Sequence, residues 1–227
     1  MRIGTKSVLY GAHCFFIHPW FVAAAWWRLF GFPYDPRLWM AFFVHDIGYW
    51  NKPNMDGAEG ESHPYVGAKI MEWLFDEYGS HPSWFAMKIG RMLDGIFGEY
   101  GAPKWGTIFY TSWHDFTLYH SRFLAKRNGM LPSKLCIADK LAICITPAWL
   151  YIPMTGMTGE IFEYMKFSET RSGTMYTSRD LENRSRRAWY VAMQKYVRSW
   201  VEEHKDGRTD TWTPSQKEKK DEHGVWK

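Results

Sequence analysis

The chain has 227 residues, 46% apolar and 23% charged, a balance that fits one globular domain able to bury a sizeable core. A net charge of +4 and a pI of about 8.8 suit an anionic substrate but are too mild to argue for nucleic acid as a partner. The hydrophobic stretch from Phe15 to Phe32 is interrupted by His18, Pro19 and Arg28, which excludes a membrane span and a cleavable signal. Cys14, Cys136 and Cys144 lack metal-type or redox-type spacing and sit in apolar runs. An odd count of such residues points to a reducing, cytoplasmic setting. Aromatic residues make up 19% of the chain, enough to fill a core and still wall a ligand pocket or an oligomer interface.

Residues 1 to 12 show no strong periodicity. From His18 the text HPWFVAAAWWRLFG predicts a helix with Pro19 in its first turn and Gly31 as its stop. Asp35 then caps, and Pro36 opens, a second helix that runs through Trp39 and Phe43 to His45-Asp46. Asn51 to Ser62 is a loop rich in Gly, Asn, Pro and acid, placed where substrate contacts are commonly carried. His63-Pro64 begins another helix, with Val66, Ile70, Trp73 and Leu74 at helical spacing and a break at Gly79 and Pro82. Residues 83 to 93 read as helical and Asp94 to Gly106 as irregular. Phe109 to Lys126 and Ser133 to Leu150 read as two helices, and 151 to 177 as mixed, with a short helix around Glu160 to Met165. A long amphipathic helix, about Ser178 to Glu203, follows, with Trp189, Met193, Tyr196 or Val197, and Trp200 as its stripe. The expected architecture is all-α: a helical domain over 1–177, a packing helix over 178–204 and a disordered polar tail over 205–227.

One stretch carries chemistry more plainly than the rest. Ala41 to Val44 is apolar and ends on His45-Asp46, two adjacent metal-binding side chains. Neighbours on a helix point about 100° apart, so a metal ion, or a pair bridged by the carboxylate, is the simplest object that uses both. Asp139 lies inside the apolar run Leu135 to Ala142, where an ionised carboxylate is costly unless it is paired or binds a cation. His18, His63 and His120 stand at or near helix ends around these two features. His13 competes with His18, and the His114-Asp115 pair competes with His120.

The order His…His-Asp…His…His…Asp resembles that of the HD-domain metal-dependent phosphohydrolase superfamily. HPWFVAAAWWRLFG is similar to that family's first-ligand helix, AFFVHDIGYW to its signature run, SHPYVGAKIM to its third-histidine segment, and HSRFLAKRNGMLPSKLCIADKLA to its late His-Ser segment leading to Ala-Asp-Lys. The resemblance covers roughly residues 13 to 150. It implies an HD-like helical bundle in which His18, His45, Asp46 and Asp139 hold a first metal. His63 and His120 would hold a second, with Asp46 bridging.

Such mixed imidazole and carboxylate ligation suits two divalent transition metals, Fe or Mn first, with Co, Ni or Zn as alternatives. The expected activity is hydrolysis of a phosphoester of a small anionic molecule, a nucleotide foremost, by a metal-activated hydroxide. Asp46, His114 and Asp115 are the catalytic candidates, and Lys52, Arg122, Lys126 and Lys140 are the candidates for holding the substrate's charge. Asp56, Glu59 and Glu61 in the loop are further acid/base candidates. The same ligand set resembles that of mixed-valent di-iron oxygenases, and a nucleotide-binding regulatory domain is a third reading. A homo-oligomer is compatible with the sequence. His81, His204 and His223 are expected to play no part, and the basic residues Arg184, Arg186, Arg187, Lys195 and Arg198 are expected to form a solvated face.

Overall fold

The structure, a computed structural model, describes residues 1–77, 83–97, 112–171 and 185–213, and among these no strand is present. Helix α1 covers Ile3–Tyr10, where no periodicity announced it. Helix α2 spans His18–Phe30 and stops at Gly31, whose φ of 90° suits a residue without a Cβ. Helix α3 spans Pro36–Val44, with the Asp35 side chain accepting from the Arg37 amide at its start. A 3-10 turn at Ile47–Tyr49 and another at Gly60–Ser62 bracket the polar loop, and α4 follows at Pro64–Phe75.

Residues 83 to 93, expected as helix, contain a π-helical turn at Ala86–Gly90 that runs into α5, Arg91–Phe97. The irregular segment expected from Asp94 thus begins as the end of α5, and residues 98–106 lie outside the described residues. The single helix expected over 109 to 126 is two helices, α6 Trp113–Leu118 and α7 Arg122–Arg127, broken at Tyr119–Ser121. Ser112, Ser121 and Ser133 each accept an amide hydrogen bond at the start of α6, α7 and α8, so α7 has its own start signal.

Helix α8 covers Lys134–Ile145, and Pro147 turns the chain into α9, Ala148–Thr158, at 102°. The single helix expected over 133 to 150 is thus broken at Thr146–Pro147, and with α10 over Glu160–Arg171 the segment 151–171, expected as mixed, is almost wholly helical, while 172–177 lie outside the described residues. Gly156 sits inside α9, and Gly159 (φ 87°) makes the break between the two helices. The long helix, α11, spans Arg186–His204, and residues 178–184 of the expected helix lie outside the described residues. The tail expected from 205 folds back as far as Thr213, because buried Asp210 accepts from the Trp200 indole and the Trp212 and Thr213 amides. Residues 214–227 of that tail lie outside the described residues.

Helix α8 is the hub. One side packs on α2 in a core with Trp26, Phe42, Phe116 and Leu135, and the other packs on α9–α11 with Tyr151, Tyr190 and Trp200. Burial on both sides explains why its sequence reads as a nearly continuous apolar run. All three cysteines are buried and free. Among the described residues no single helix is long and apolar enough to cross a membrane.

Candidate metal centre

The six His and Asp residues singled out in the sequence converge, all of them buried. His18 opens α2, His45 and Asp46 follow the last turn of α3, His63 precedes α4, His120 lies in the turn between α6 and α7, and Asp139 projects from mid-α8. Because α3 ends at Val44, the turn sets the direction of Asp46, and the two neighbours face one point. Close approach of the chain makes this possible. A Cβ on Gly48 would lie 1.9 Å from the His63 carbonyl oxygen, so only glycine lets the two ligand segments touch.

The imidazoles are oriented from behind. The Nδ1 of His45 donates to the Phe42 carbonyl at 3.0 Å, that of His63 to Gly60 at 2.7 Å and that of His120 to Thr117 at 2.6 Å. A carbonyl can only accept, so in the neutral ring each Nδ1 carries the proton and each Nε2 presents a lone pair inward, the tautomer a metal ligand needs. The Nε2 atoms of His63 and His120 face each other at 3.0 Å with no proton to share, an arrangement that a cation between or beside them relieves.

Two groups of ligand atoms result. His18, His45, Asp46 and Asp139 form one, and Asp46, His63 and His120 the other. Asp46 serves both with different oxygens. Its Oδ2 lies 3.0 Å from His45 Nε2 and 3.4 Å from His18 Nε2, whereas Oδ1 lies 3.4 Å from both His63 and His120 Nε2. His18 Nε2 is 3.0 Å from Asp139 Oδ1. His45 Nε2 and Asp46 Oδ2 are buried without a hydrogen bond, since their contact lacks hydrogen-bond geometry. Buried polar atoms left so are rare, and here they point at the place a metal ion would use.

Electrostatics agree. Burial alone would neutralise both carboxylates, yet Asp46 is held well below the usual carboxylate range by His45, and Asp139 by Lys140 and His18. Burial opposes charge on His45 as well, but Asp46 and Asp139 outweigh it and push its pKa to about 10. His120, facing fewer carboxylate contacts, is lowered by burial to about 4. The first group thus calls for positive charge, which a proton or a cation supplies. His13 stays out of both groups: its Nδ1 is 2.8 Å from Ser7 Oγ, and burial lowers its pKa to about 3.

The cluster opens into a cavity of about 260 Å³. Arg122 and Lys140 line it, as do Asp56 and Glu61 from the polar loop. Lys140 also reaches Asp139 Oδ2 at 2.7 Å. The other candidates are not among the lining residues. Lys52 donates to Ser62 Oγ at 2.7 Å, and Lys126 is tied to the Thr213 carbonyl. His114 and Asp115 pair with each other at 2.9 Å, while Asp76 accepts from the His114 amide.

Two features went unseen in the sequence. Glu160 is fully buried and accepts from the Ala12 amide at 2.5 Å, holding the N-terminal turn beside the cavity; a carboxylate after a glycine carries no signal of that. Tyr164, Trp189 and Trp212 wall the cavity. The stripe on α11 was visible, but not which of its rings reach a ligand site. His204 is buried, stacked on Trp200, with its Nδ1 donating to the Trp200 carbonyl at 2.7 Å. Arg186, Arg187, Lys195 and Arg198 are exposed, whereas His81, Arg184 and His223 lie outside the described residues. Compared with known proteins, the chain matches no family model, no curated protein and no solved structure.

Proposed function

We propose that the chain is a metal-dependent phosphohydrolase of the HD-domain type, cleaving a phosphoester of a small anionic molecule, foremost a nucleotide. The observation that carries this reading is Asp46, whose two oxygens face two ligand groups beside a cavity with Arg122 and Lys140 in its wall. His18, His45, Asp46 and Asp139 would hold one divalent transition metal, and Asp46, His63 and His120 a second, with Fe or Mn preferred for this donor set. A metal pair supplies an activated water at neutral pH and neutralises charge on phosphoryl oxygens.

The chain's own groups account for the rest. Arg122 and Lys140 bind and orient the phosphate, Lys140 while also holding Asp139 ionised. Asp56 and Glu61 line the cavity, so they rather than His114 and Asp115 stand where a leaving group can take up a proton. The buried free cysteines fit a reducing, cytoplasmic setting.

The test is metal analysis of protein purified without chelators, followed by a screen of nucleoside mono-, tri- and cyclic phosphates. Hydrolysis should need Mn, Fe or Co, persist without oxygen when Mn or Co is used, and vanish with a chelator. Turnover that requires oxygen and iron would replace the hydrolase with an oxygenase.

A further inference from the structure

The cavity has a second half that phosphate chemistry does not use. It is built from α10, α11 and the folded-back segment 205–213, all beyond the residues that carry the metal ligands. Tyr164, Trp189, Tyr196 and Trp212 present rings there, next to the apolar Met193 and Val197. The guanidinium of Arg122 lies 4.9 Å from the Trp200 ring centroid and 5.9 Å from that of Tyr196, and so stands at the border of the two halves.

One ring pair differs from the other parallel pairs. Tyr49–His63, Tyr151–Tyr190 and Trp200–His204 lie 3.8, 4.4 and 4.6 Å apart between centroids, ordinary contact stacks. Tyr164 and Trp189 are the most nearly parallel of the four, at 7°, yet their centroids are 6.3 Å apart and both rings line the cavity. Both rings therefore offer parallel faces at the cavity wall, against which a planar ligand ring can stack.

Resting on the hydrolase reading for its polar end, we propose that this aromatic half is a base-binding site. It takes the heterocycle of a nucleoside phosphate against Trp189 and Tyr164, with the phosphate directed to Arg122, Lys140 and the Asp46 cluster. Stacking accepts any planar base, so the site selects base-bearing phosphoesters over sugar phosphates without choosing strongly among bases. A cavity of about 260 Å³ is sized for one small ligand.

The test compares AMP and CMP with ribose 5-phosphate, which carries a hydroxyl in place of the base, on the full chain, by calorimetry with Mn present and by hydrolysis. The wild type should prefer both nucleotides by roughly tenfold or more, and Trp189→Ala should bring that ratio close to one. Trp189 is largely buried, so Tyr164→Leu, which keeps apolar volume and removes the ring, is measured beside it. It should lower the ratio severalfold. A wild type without preference for the ring, or an unchanged ratio in a folded Tyr164→Leu variant, overturns the assignment. Ring-dependent binding without hydrolysis would sustain the base site and sink the hydrolase. Equal hydrolysis of AMP and ribose 5-phosphate would do the reverse.

Discussion

The two ligand groups share Asp46 but differ in charge. The first has two carboxylates, Asp46 and Asp139, with Lys140 on the far oxygen of Asp139. The second has two imidazoles and only the shared carboxylate. Asp46 and Asp139 accordingly outweigh burial and push His45 in the first up to about 10, whereas burial lowers His120 in the second to about 4. The stronger field should fill the first group first, and the second should behave as the weaker, exchangeable position.

Removing the shared carboxylate should abolish that distinction altogether. Asp46→Ala should empty both groups and lower hydrolysis by at least about 1000-fold, read from elemental analysis and steady-state rates. One full equivalent of metal retained in that variant would mean that Asp46 is not shared. Asymmetric changes come next. His120→Ala should weaken only the second metal, by roughly 100-fold or more, and leave one tight equivalent, because even outer partners of a ligand are worth 10–100-fold. Asp139→Ala should act on the first. If both variants lose the same metal, the two-group description fails.

Geometry can be disturbed without touching a ligand. A Cβ at Gly67 would lie 2.5 Å from the Val44 carbonyl and 3.0 Å from His45 Cα, so Gly67→Ala should push α4 away from the end of α3. We expect a loss of about 1–3 kcal/mol in stability by denaturant titration, and weaker second-metal binding because His63 rides on α4. A variant that is destabilised but binds both metals unchanged would show that α4 does not set the spacing.

How much of this was legible in the sequence follows from what each feature depends on. The all-α class and the helices α2, α3 and α4 were plain, because Pro19, Pro36 and Pro64 mark starts that local chemistry fixes. Of the six clustered residues, Asp139 stood out because an acid in an apolar run is costly unless paired or bound to a cation, and the full set followed from the resemblance of the His…His-Asp…His…His…Asp order. The break at Tyr119–Ser121, which swings His120 inward, was missed because Ser121 reads equally well as a helix residue or a cap. Which cations reach the cavity was not legible either. Lys126 and Arg122 are one turn apart, yet the first is tied to Thr213 and the second lines the pocket, a choice made by the folded-back tail. His114 and Asp115 resembled a second His-Asp pair, but Asp76 anchors the start of their helix outside the cavity.

That anchor gives the smallest and most local test of the asymmetry. Asp76 accepts from the Trp113 and His114 amides at 2.7 and 2.9 Å, so it fixes the N-terminus of α6, the helix that leads to His120. Burial outweighs those hydrogen bonds and lifts its pKa from 3.8 to about 6. A folded value above the unfolded one means that this contribution to stability is fully present below about pH 3.8 and is lost as pH rises through about 6. His114, raised chiefly by Asp115, acts in the same direction, so the wild type alone does not isolate Asp76. Asp76→Asn does: the amide keeps one acceptor, sets its NH₂ against the other amide and lowers stability, but it cannot titrate. Between pH 5 and pH 7 the variant's stability should fall less than the wild type's by about 1 kcal/mol in paired denaturant titrations. The second metal, not the first, should bind more weakly in it. Parallel pH slopes would show that Asp76 does not titrate in this range, and equal weakening of both metals would show that α6 supports the whole cluster rather than its second half.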